Sequence, residues 1–361
     1  MKKISMLITN LAGGGAERVN LDLAHEFKKL DHEVEFVLCE ASGVFLKEAK
    51  SSFKIVDLDL KSLFKVPKKL AAYFDTAKPD AVIVSMWGLT AVAPIARLFS
   101  KHKPKLLLVE HNALINQYSR SPLRTKVFLK LSTMLSYRLA DYVGGVSSGV
   151  VSDLAKLSCR PINKFEVLYN PIPLPVADEM SNTISLKWKG AKYKLLNVGS
   201  FKEQKNHELL IRAFYRFKLK SESVLVLLGE GKLEDDLKRL VEELGLVDRV
   251  IFSGFSKNPS PFYLEADLFV LSSIREGLPT VLIEALGHGL PIVSTDCPYG
   301  PNEILKNGKL GILVPVGDEV ALADAMLQSL NKKHNTEKLI KRAKDFAPEV
   351  SAKRYLKLLD L

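Results

Sequence analysis

The chain has 361 residues, which is enough for two domains that each bury a hydrophobic core. Its 47% hydrophobic and 26% charged residues are ordinary for a soluble globular protein. The three cysteines (Cys39, Cys159 and Cys297) are far apart and odd in number, which argues against a disulfide framework and for a reducing compartment. Met1-Lys2-Lys3 leads into a short strand and not into a signal-peptide core, so we expect a cytoplasmic protein.

Short β-branched runs alternate with amphipathic segments along the whole chain, which predicts parallel sheets with helical crossovers. The predicted strands of the first half are residues 3–9, 33–39, 53–58, 80–86, 105–110, 141–146 and 165–169. Those of the second half are residues 193–198, 223–228, 249–252, 267–271, 291–294 and 310–314. Three prolines within residues 170–175 stop regular structure, and a polar stretch follows. We therefore predict an α/β protein with two doubly wound domains facing one another across a cleft, at residues 1–170 and 191–345, joined by a linker over residues 171–190.

A glycine-rich loop over residues 9–18 joins the first predicted strand to the first predicted helix. Gly13, Gly14 and Gly15 let the backbone approach an anion closely, next to a helix N-terminus. A dinucleotide fold needs G-x-G-x-x-G at this place, but residues 16–18 are Ala-Glu-Arg where the third glycine should come. The spacing therefore disfavours an NAD-dependent dehydrogenase and leaves either an anion-binding loop or a simple tight turn.

Two further residues stand directly after predicted strands. His111 follows the apolar strand at residues 105–110, and a side chain at the carboxyl end of such a strand points into the ligand crevice, although a lone histidine is often structural. In the second half, Gly199 ends a strand and Lys205 is predicted to start the next helix. A lysine at a helix N-terminus opposes the helix dipole, and a bound diphosphate would compensate it.

Two glutamates eight residues apart form the most informative pattern, over residues 275–284. Glu276 hangs in a loop after a buried strand, and Glu284 lies about a turn and a half into the following helix. The amides of Thr280 and Val281 open that helix without intrahelical partners, which suits a phosphate. A carboxylate accepts two hydrogen bonds from a vicinal diol, so one glutamate could hold a ribose and the other a sugar ring.

These motifs, in this order, resemble those of retaining glycosyltransferases of the GT-B fold, in particular family four. The paired glutamates are similar to the E-x7-E motif, the glycine loop to the family's G-G-A-E loop, and the Lys205 segment to G-R-x4-K, with Ser200 in place of the arginine. The resemblance implies that His111, Lys205 and Glu276 are catalytic. It implies a nucleotide-sugar site made of Gly14, Gly15, Gly199, Ser200, Lys205, Gly254, Phe255, Glu276, Gly277, Leu278, Pro279, Thr280, Val281 and Glu284.

The roles that the resemblance implies are specific. His111 contacts the donor sugar near the leaving phosphate, Lys205 neutralises the diphosphate, and Glu276 and Glu284 hold the sugar and the ribose. The backbone at residues 254–255 packs against the base. Residues 297–303 resemble a variant seen among bacterial surface-glycan transferases, and the last helix, at about residues 346–361, packs back on the N-terminal domain.

The expected reaction is transfer of a hexose or N-acetylhexosamine from a nucleotide diphosphate sugar, with UDP-sugar favoured, and with retention at the anomeric carbon. The acceptor is a growing oligosaccharide or lipid-linked glycan of bacterial cell-surface synthesis. We expect no cofactor and no metal, because Asp57-Leu58-Asp59, a metal motif in the other glycosyltransferase fold, here ends a strand. A nucleotide-sugar epimerase of similar fold is the alternative.

The positive charge of the chain is concentrated in one region. The net charge is +11, and residues 61–138 contain fourteen Lys or Arg against three acids. Such a face implies an anionic membrane or a nucleic acid as partner, unless it is only solvated surface. Carboxylates in the predicted cleft repel a phosphate backbone and no recognition module is apparent, so we expect no nucleic acid.

A predicted amphipathic helix over residues 122–140 lies within this basic region. Its apolar face, which we expect to pack on the domain core, consists of Leu123, Val127, Phe128, Leu131, Met134, Leu135 and Leu139. Arg120, Arg124, Lys126 and Lys130 cluster at its beginning, and residues 63–69 add a second basic and apolar patch. We therefore predict peripheral docking of the N-terminal domain on the inner face of the cytoplasmic membrane.

Overall fold

The computed structural model describes residues 1–60, 62, 65–174, 188, 190–217 and 220–361. The chain divides into two compact units, Met1–Pro171 with Pro348–Leu361, and Ile172–Ala347. The predicted linker at residues 171–190 lies mostly outside the described residues, as do Leu63 and Phe64 of the predicted second basic patch.

The described residues of the first unit form a seven-stranded parallel sheet of order β3-β2-β1-β4-β5-β6-β7. Its strands are β1 Lys3–Ile8, β2 Glu33–Leu38, β3 Lys54–Asp57, β4 Ala81–Ser85, β5 Lys105–Glu110, β6 Tyr142–Gly145 and β7 Glu166–Val167. Its crossover helices are α1 Gly15–Lys29, α2 Leu46–Ser52, α3 Val66–Ala77, α4 Leu89–Phe99, α5 Leu114–Gln117, α6 Leu123–Leu139 and α7 Ser148–Ser158. The central strands are buried on both faces, which explains why they appear in the sequence as continuous apolar runs.

The described residues of the second unit form a six-stranded parallel sheet of order β10-β9-β8-β11-β12-β13. Its strands are β8 Tyr193–Val198, β9 Ser223–Leu228, β10 Val250–Phe252, β11 Leu268–Leu271, β12 Ile292–Thr295 and β13 Ile312–Val314. Its helices are α8 His207–Arg216, α9 Glu234–Glu243, α10 Ser260–Glu265, α11 Thr280–Gly287, α12 Pro301–Ile304, α13 Glu319–Leu330 and α14 Thr336–Ala343. Every predicted strand overlaps an observed strand, so the predicted class of two doubly wound α/β sheets is confirmed.

The last helix, α15 Pro348–Leu359, belongs to the first unit although the second unit precedes it in the chain. Its first residue is a proline, whose missing amide costs nothing at the start of a helix. Tyr355 is buried and lies 6.3 Å from Phe27 of α1, measured between ring centroids. Lys105 fastens the end of the helix, because its Nζ donates to the Leu359 carbonyl at 2.8 Å and to the Asp360 carboxylate at 2.9 Å.

Each sheet has one place where the strand order reverses direction. In the first unit the reversal falls between β1 and β4, and in the second between β8 and β11. The crossovers on the two sides of such a point pass over opposite faces, which leaves a crevice at the carboxyl ends of the strands. The loops after β1, β4 and β5, and those after β8 and β11, are therefore the places where ligands are expected.

The predicted orientation of α6 is wrong. The helix is present, but it buries Leu129, Thr133, Ser136 and Tyr137, while most of the apolar face predicted to pack on the core is exposed. The exposed fractions are 76% for Leu123, 48% for Val127, 55% for Phe128, 60% for Leu131 and 55% for Leu135. The polar residues turn inward because Tyr137 donates a hydrogen bond at 3.0 Å to Glu110, a carboxylate buried at the end of β5. In the described part of the chain, no helix combines the length and the apolar character needed to cross a bilayer.

Candidate active site

The centre of the site in the second unit is an ion pair across the strand-order reversal. Lys205, in the loop after β8, places its Nζ 2.6 Å from Oε1 of Glu276, in the loop after β11. The same Oε1 accepts the hydroxyl of Ser273 at 2.6 Å. The side chains of Lys205 and Glu276 are 21% and 7% exposed, so both charges are largely withdrawn from water. Lys205, which is predicted to bind the diphosphate, and Glu276, which is predicted to bind the sugar, are therefore paired with each other in the structure.

Three hydrogen bonds connect the two loops that carry this pair. The Ser272 hydroxyl donates to the Lys205 carbonyl at 2.9 Å, and the Ile274 amide donates to the Gln204 carbonyl at 2.8 Å. The Gln204 side-chain amide donates in return to the Arg275 carbonyl at 2.9 Å. Because these bonds hold both backbones, the position of the Lys205–Glu276 pair is set by main chain as well as by charge.

The sequence predicts that Lys205 starts α8, but in the structure it does not. It ends a short 3-10 turn, Glu203–Lys205, and α8 begins at His207. Asn206 is the N-cap, in the left-handed region at φ 49°, and its side chain accepts the Leu209 amide. An asparagine tolerates this backbone and supplies the capping oxygen, so the helix begins two residues later than predicted.

The segment from Gly277 to Val281 leads from this cluster into α11. The Pro279 carbonyl accepts the Leu282 amide at 3.1 Å, which places the Thr280 and Val281 amides at the positive end of the helix. Leu278 is buried and anchors the turn. An anion of the size of a phosphate fits the chemistry of this terminus.

The loop at residues 297–300 supports that turn from the other side. The Glu276 amide donates to the Pro298 carbonyl at 3.3 Å. Gly300 has φ +90°, and a Cβ at this position would lie 2.3 Å from Cδ of Pro279. Only glycine allows this approach, so the segment that resembles a surface-glycan variant serves here to hold the Glu276 loop.

Glu284 lies on the half-buried face of α11 and is held by an aromatic group. Tyr263, which is buried, donates to Oε2 of Glu284 at 3.0 Å. His288 stacks on the Tyr263 ring, with centroids 4.9 Å apart, and bonds the Ser260 hydroxyl at 2.7 Å. Burial raises the pKa of Glu284, while the hydrogen bonds from Tyr263 and Thr280 lower it. The bond from Tyr263 thus fixes the orientation of the Glu284 carboxylate, and recognition of a diol requires such a fixed orientation.

The loops after β9 and β10 meet through Glu230, which lies between Gly229 and Gly231 in the loop after β9. The Gly229 amide donates to the Gly254 carbonyl at 2.9 Å, and Oε1 of Glu230 accepts the Phe255 amide at 3.1 Å. The Phe255 ring is 68% exposed. The Phe255 amide, part of the backbone expected to contact the base, is therefore already bonded to Glu230.

Gly199 and Ser200 complete the loop after β8. A Cβ on Gly229, which has φ +153°, would lie 2.1 Å from the Gly199 carbonyl oxygen, so the two backbones are in direct contact. Ser200 is half-buried and takes the position of the arginine in the resembled motif, while Lys202 is exposed. The loop thus presents a hydroxyl where the motif has a guanidinium.

In the first unit, the glycine loop and His111 lie at the carboxyl ends of β1 and β5, the two strands that flank β4. Gly13 has φ +107°, and Gly14 and Gly15 are exposed at the start of α1. The His111 Nε2 lies 3.4 Å from the Ser85 hydroxyl, which donates to Asn20 of α1 at 3.0 Å. This chain of contacts connects β5, β4 and α1 across the strand-order reversal.

Two titratable groups stand side by side at the end of β5. Burial raises the pKa of Glu110 to about 7, against the opposing hydrogen bonds from Thr90 and Tyr137. Burial lowers the pKa of His111 to about 4, and the side chain of Asn170 opposes this shift. At neutral pH His111 is therefore an uncharged imidazole, which can form hydrogen bonds to a sugar but adds no positive charge.

The remaining predicted residues lie apart from these clusters. Arg120, Arg124, Lys126 and Lys130 are exposed at and before the first turns of α6. Asp57 ends the edge strand β3 and Asp59 follows it; both are exposed, and the Asp57 side chain accepts the Asp59 amide at 2.8 Å. Among the described residues no group of His, Cys, Asp and Glu side chains has the geometry of a metal site. The expectation of metal-free catalysis stays a prediction.

Comparison with known proteins identifies the family. Two family profiles match, Glycosyltransferase Family 4 over residues 13–175 and Glycosyl transferases group 1 over residues 181–346. The chain is 30% identical over 359 residues to the Campylobacter jejuni N-acetylgalactosamine-N,N'-diacetylbacillosaminyl-diphospho-undecaprenol 4-alpha-N-acetylgalactosaminyltransferase, covering 96% of this chain and 94% of that protein.

A second relative and a solved structure agree with this result. The chain is 28% identical over 375 residues to the C. jejuni GalNAc-alpha-(1->4)-GalNAc-alpha-(1->3)-diNAcBac-PP-undecaprenol alpha-1,4-N-acetyl-D-galactosaminyltransferase, with 99% and 98% of the two chains covered. Anabaena HepE in complex with UDP has the same fold, with a TM-score of 0.83 at 19% identity over the full length of both chains. These relatives give the epimerase alternative no support. The chain belongs to the glycosyltransferases of family four and has the GT-B fold.

Proposed function

We propose that this glycosyltransferase moves an N-acetylhexosamine or hexose from a UDP-sugar to a lipid-linked glycan, with retention at the anomeric carbon. The two C. jejuni relatives are named N-acetylgalactosaminyltransferases, and both names contain an undecaprenol-linked glycan. The HepE structure is described as a complex with UDP. The observation that carries the proposal is the Lys205–Glu276 ion pair beside the N-terminus of α11.

That pair has the chemistry needed for a diphosphate leaving group next to a sugar. In the free protein Glu276 neutralises Lys205, which would otherwise be a half-buried unpaired cation. A bound diphosphate takes over that neutralisation, together with the Thr280 and Val281 amides, and Glu276 becomes available to accept hydrogen bonds from sugar hydroxyls. Donor binding therefore exchanges one set of charge partners for another.

In the proposed reaction, the bond between the anomeric carbon and the diphosphate oxygen breaks while the acceptor hydroxyl attacks from the same face of the sugar. The hydroxyl proton passes to the departing phosphate oxygen, so the products are the glycoside and UDP. Lys205 and the α11 dipole stabilise the charge that develops on the leaving group. Because Ser273 donates to Oε1 of Glu276 and the released carboxylate is assigned to the sugar hydroxyls, we assign Glu276 no covalent step and favour this front-face route.

The roles proposed for the other predicted residues follow from their surroundings. Glu284, oriented by Tyr263, holds the ribose hydroxyls. The loops of Gly199 and Gly254 line the nucleotide side of the site. Neutral His111 donates or accepts one hydrogen bond near the sugar, and no step in this scheme needs a metal ion or another cofactor.

We also propose that the enzyme works at the inner face of the cytoplasmic membrane. The basic excess of residues 61–138 attracts an anionic leaflet, and each basic residue near the surface contributes about 1 kcal/mol. Arg120, Arg124, Lys126 and Lys130 are exposed and available for this contact. This electrostatic part predicts binding to anionic and not to neutral vesicles at low salt.

The direct test is a transfer assay with a panel of nucleotide sugars and an undecaprenyl-diphosphate-linked glycan. The proposal predicts acceptor-dependent release of UDP from a UDP-sugar, a rise in melting temperature with UDP, and smaller effects of GDP and ADP. Turnover of the nucleotide sugar without any acceptor would contradict the proposed transfer. A preference for GDP or ADP would contradict the proposed donor.

A further inference from the structure

Helix α6 presents five of its apolar residues to solvent in a stripe. Leu123, Val127, Phe128, Leu131 and Leu135 occur at helical spacing and are 48–76% exposed. At the far end of α4, which packs against α6, Leu98 and Phe99 are 58% and 74% exposed. The two ends are close, because the Arg97 guanidinium of α4 donates to the Leu139 carbonyl of α6. Several exposed apolar side chains along one helix are typical of an interaction site.

The buried face of α6 fixes the orientation of the helix about its own axis. The Tyr137 side chain is fully buried and bonds Glu110, and the Thr133 hydroxyl is buried against the helix backbone. Turning the apolar stripe inward would place these polar groups in solvent and leave the Glu110 carboxyl without one of its donors. The fold therefore holds the stripe outward.

Charge decides between the possible occupants of the stripe. Arg124, Lys126, Lys130 and Arg138 are exposed on α6, and the helix contains no acidic residue. A second copy of the same helix would bring like charges together, which opposes self-association. An anionic lipid surface complements the charges and offers acyl chains to the apolar side chains, as for amphipathic helices that lie in the membrane interface.

Aromatic residues border the beginning of the stripe. Trp87 is half-buried, and its ring lies 6.0 Å from that of Phe128 and 4.8 Å from that of Tyr118. Its indole N–H donates to the Ser132 hydroxyl at 3.2 Å. Tryptophan and tyrosine are enriched at the level of lipid headgroups, where an apolar ring and a polar tip are both satisfied.

We infer that α6 inserts the stripe of Leu123, Val127, Phe128, Leu131 and Leu135 into an anionic bilayer, below the headgroups. The helix lies in the plane of the membrane, and its basic residues remain at headgroup level. This inference rests on the proposed function for the location of the enzyme and adds a hydrophobic mode of attachment to the electrostatic one. Binding by insertion persists at about 1 M salt, where the Debye length is about 3 Å and surface charges are screened.

The test compares three variants by co-sedimentation with vesicles of phosphatidylglycerol and phosphatidylcholine. Leu123, Leu131 and Leu135 are changed together to Gln, which suits an exposed helix position and should not impair folding. The matched control changes Val247, Leu264 and Val320, which are 51–57% exposed in the second unit, to Gln. A charge variant changes Arg124, Lys126 and Lys130 to Gln. We expect the α6 apolar variant to lose at least about tenfold in vesicle binding at high salt, the control to match the unchanged protein, and the charge variant to lose binding mainly at low salt.

A second measurement reports the depth of the helix. In Leu131→Trp, the fluorescence of the new tryptophan should be quenched by lipids brominated on their acyl chains. In Leu264→Trp, brominated lipids should quench no more fluorescence than in the parent protein. Transfer to a water-soluble acceptor should be unchanged in the α6 apolar variant, so that failure of the insertion and failure of the proposed reaction are distinguishable. Unchanged vesicle binding by that variant would overturn the inference. So would a lipid-free dimer, detected by sedimentation, that the same substitutions disperse.

Discussion

Removal of the Lys205 ammonium tests the centre of the proposed site. Lys205→Met keeps most of the apolar side chain but leaves the Glu276 carboxylate, which is 7% exposed, with the Ser273 hydroxyl as donor and without a cation at its Oε1. If Lys205 stabilises the leaving diphosphate, kcat should fall by about 30- to 900-fold, which corresponds to roughly 2–4 kcal/mol in the barrier. Lys202→Met, in the same loop but exposed, is the matched control and should change kcat less than about threefold.

The same substitution has a separate consequence for stability. Breaking a fully buried ion pair costs about 3–5 kcal/mol and an exposed one about 1 kcal/mol or less. The Lys205 side chain is 21% exposed, so a loss of about 2 kcal/mol in the free energy of unfolding is expected. Adding Glu276→Gln should restore most of that stability, because no unpaired charge is then left.

Activity and stability should therefore separate in the double-mutant cycle. Stability returns in Lys205→Met/Glu276→Gln, but turnover stays low because the charged groups proposed to contact the diphosphate and the sugar have both been removed. Steady-state kinetics with a saturating UDP-sugar and chemical denaturation of the four proteins give the two readouts. The reasoning would be refuted by equal, small losses of kcat in Lys205→Met and Lys202→Met, or by recovery of turnover in the double variant.

Three further predictions concern the metal, the diphosphate and pH. Transfer should survive EDTA; a loss that Mn²⁺ restores would return Asp57 and Asp59 to consideration as ligands. Ser200→Arg adds a cation beside the diphosphate and should lower the Kd for UDP about tenfold, measured by calorimetry; an unchanged or higher Kd would place the diphosphate elsewhere. Because burial raises the pKa of Glu110 to about 7, this group makes the protein less stable as pH rises from about 4.5 to 7, by up to about 3 kcal/mol. Because burial lowers the pKa of His111 to about 4, this group makes the protein less stable as pH falls below about 6.5. Glu110→Gln should therefore increase stability relative to the unchanged protein above pH 7, and His111→Asn should increase it near pH 4. Denaturation curves that shift equally at all pH values would contradict both expectations.

Much of the fold and part of the site could be predicted because their signals are local in the sequence. Buried parallel strands appear as apolar runs, and the residues after them lie at the ligand edge whatever the rest of the fold does. The positions of Glu276, Lys205 and His111 after strands were predicted in this way. Their partners were not, since the contact of Lys205 with Glu276 spans 71 residues and depends on the order of the strands.

The orientation of α6 shows a limit of periodicity. Helical spacing of apolar residues indicates one apolar face but not whether that face meets the core or another surface. The deciding contact, from Tyr137 to Glu110, requires a carboxylate buried on a neighbouring strand. The contact made by Glu230 is not predicted for a similar reason, because a glutamate between two glycines resembles an ordinary loop residue until the Phe255 amide is placed beside it.

The configuration of the product tests the proposed reaction most directly. A UDP-α-sugar accepted by the enzyme is incubated with the lipid-linked acceptor, and the anomeric coupling constant of the new linkage is measured by NMR. Retention predicts an α-linked product formed with release of UDP, in proportion to acceptor consumed. A β-linked product would show inversion and would contradict the front-face mechanism and the roles assigned to Lys205 and Glu276.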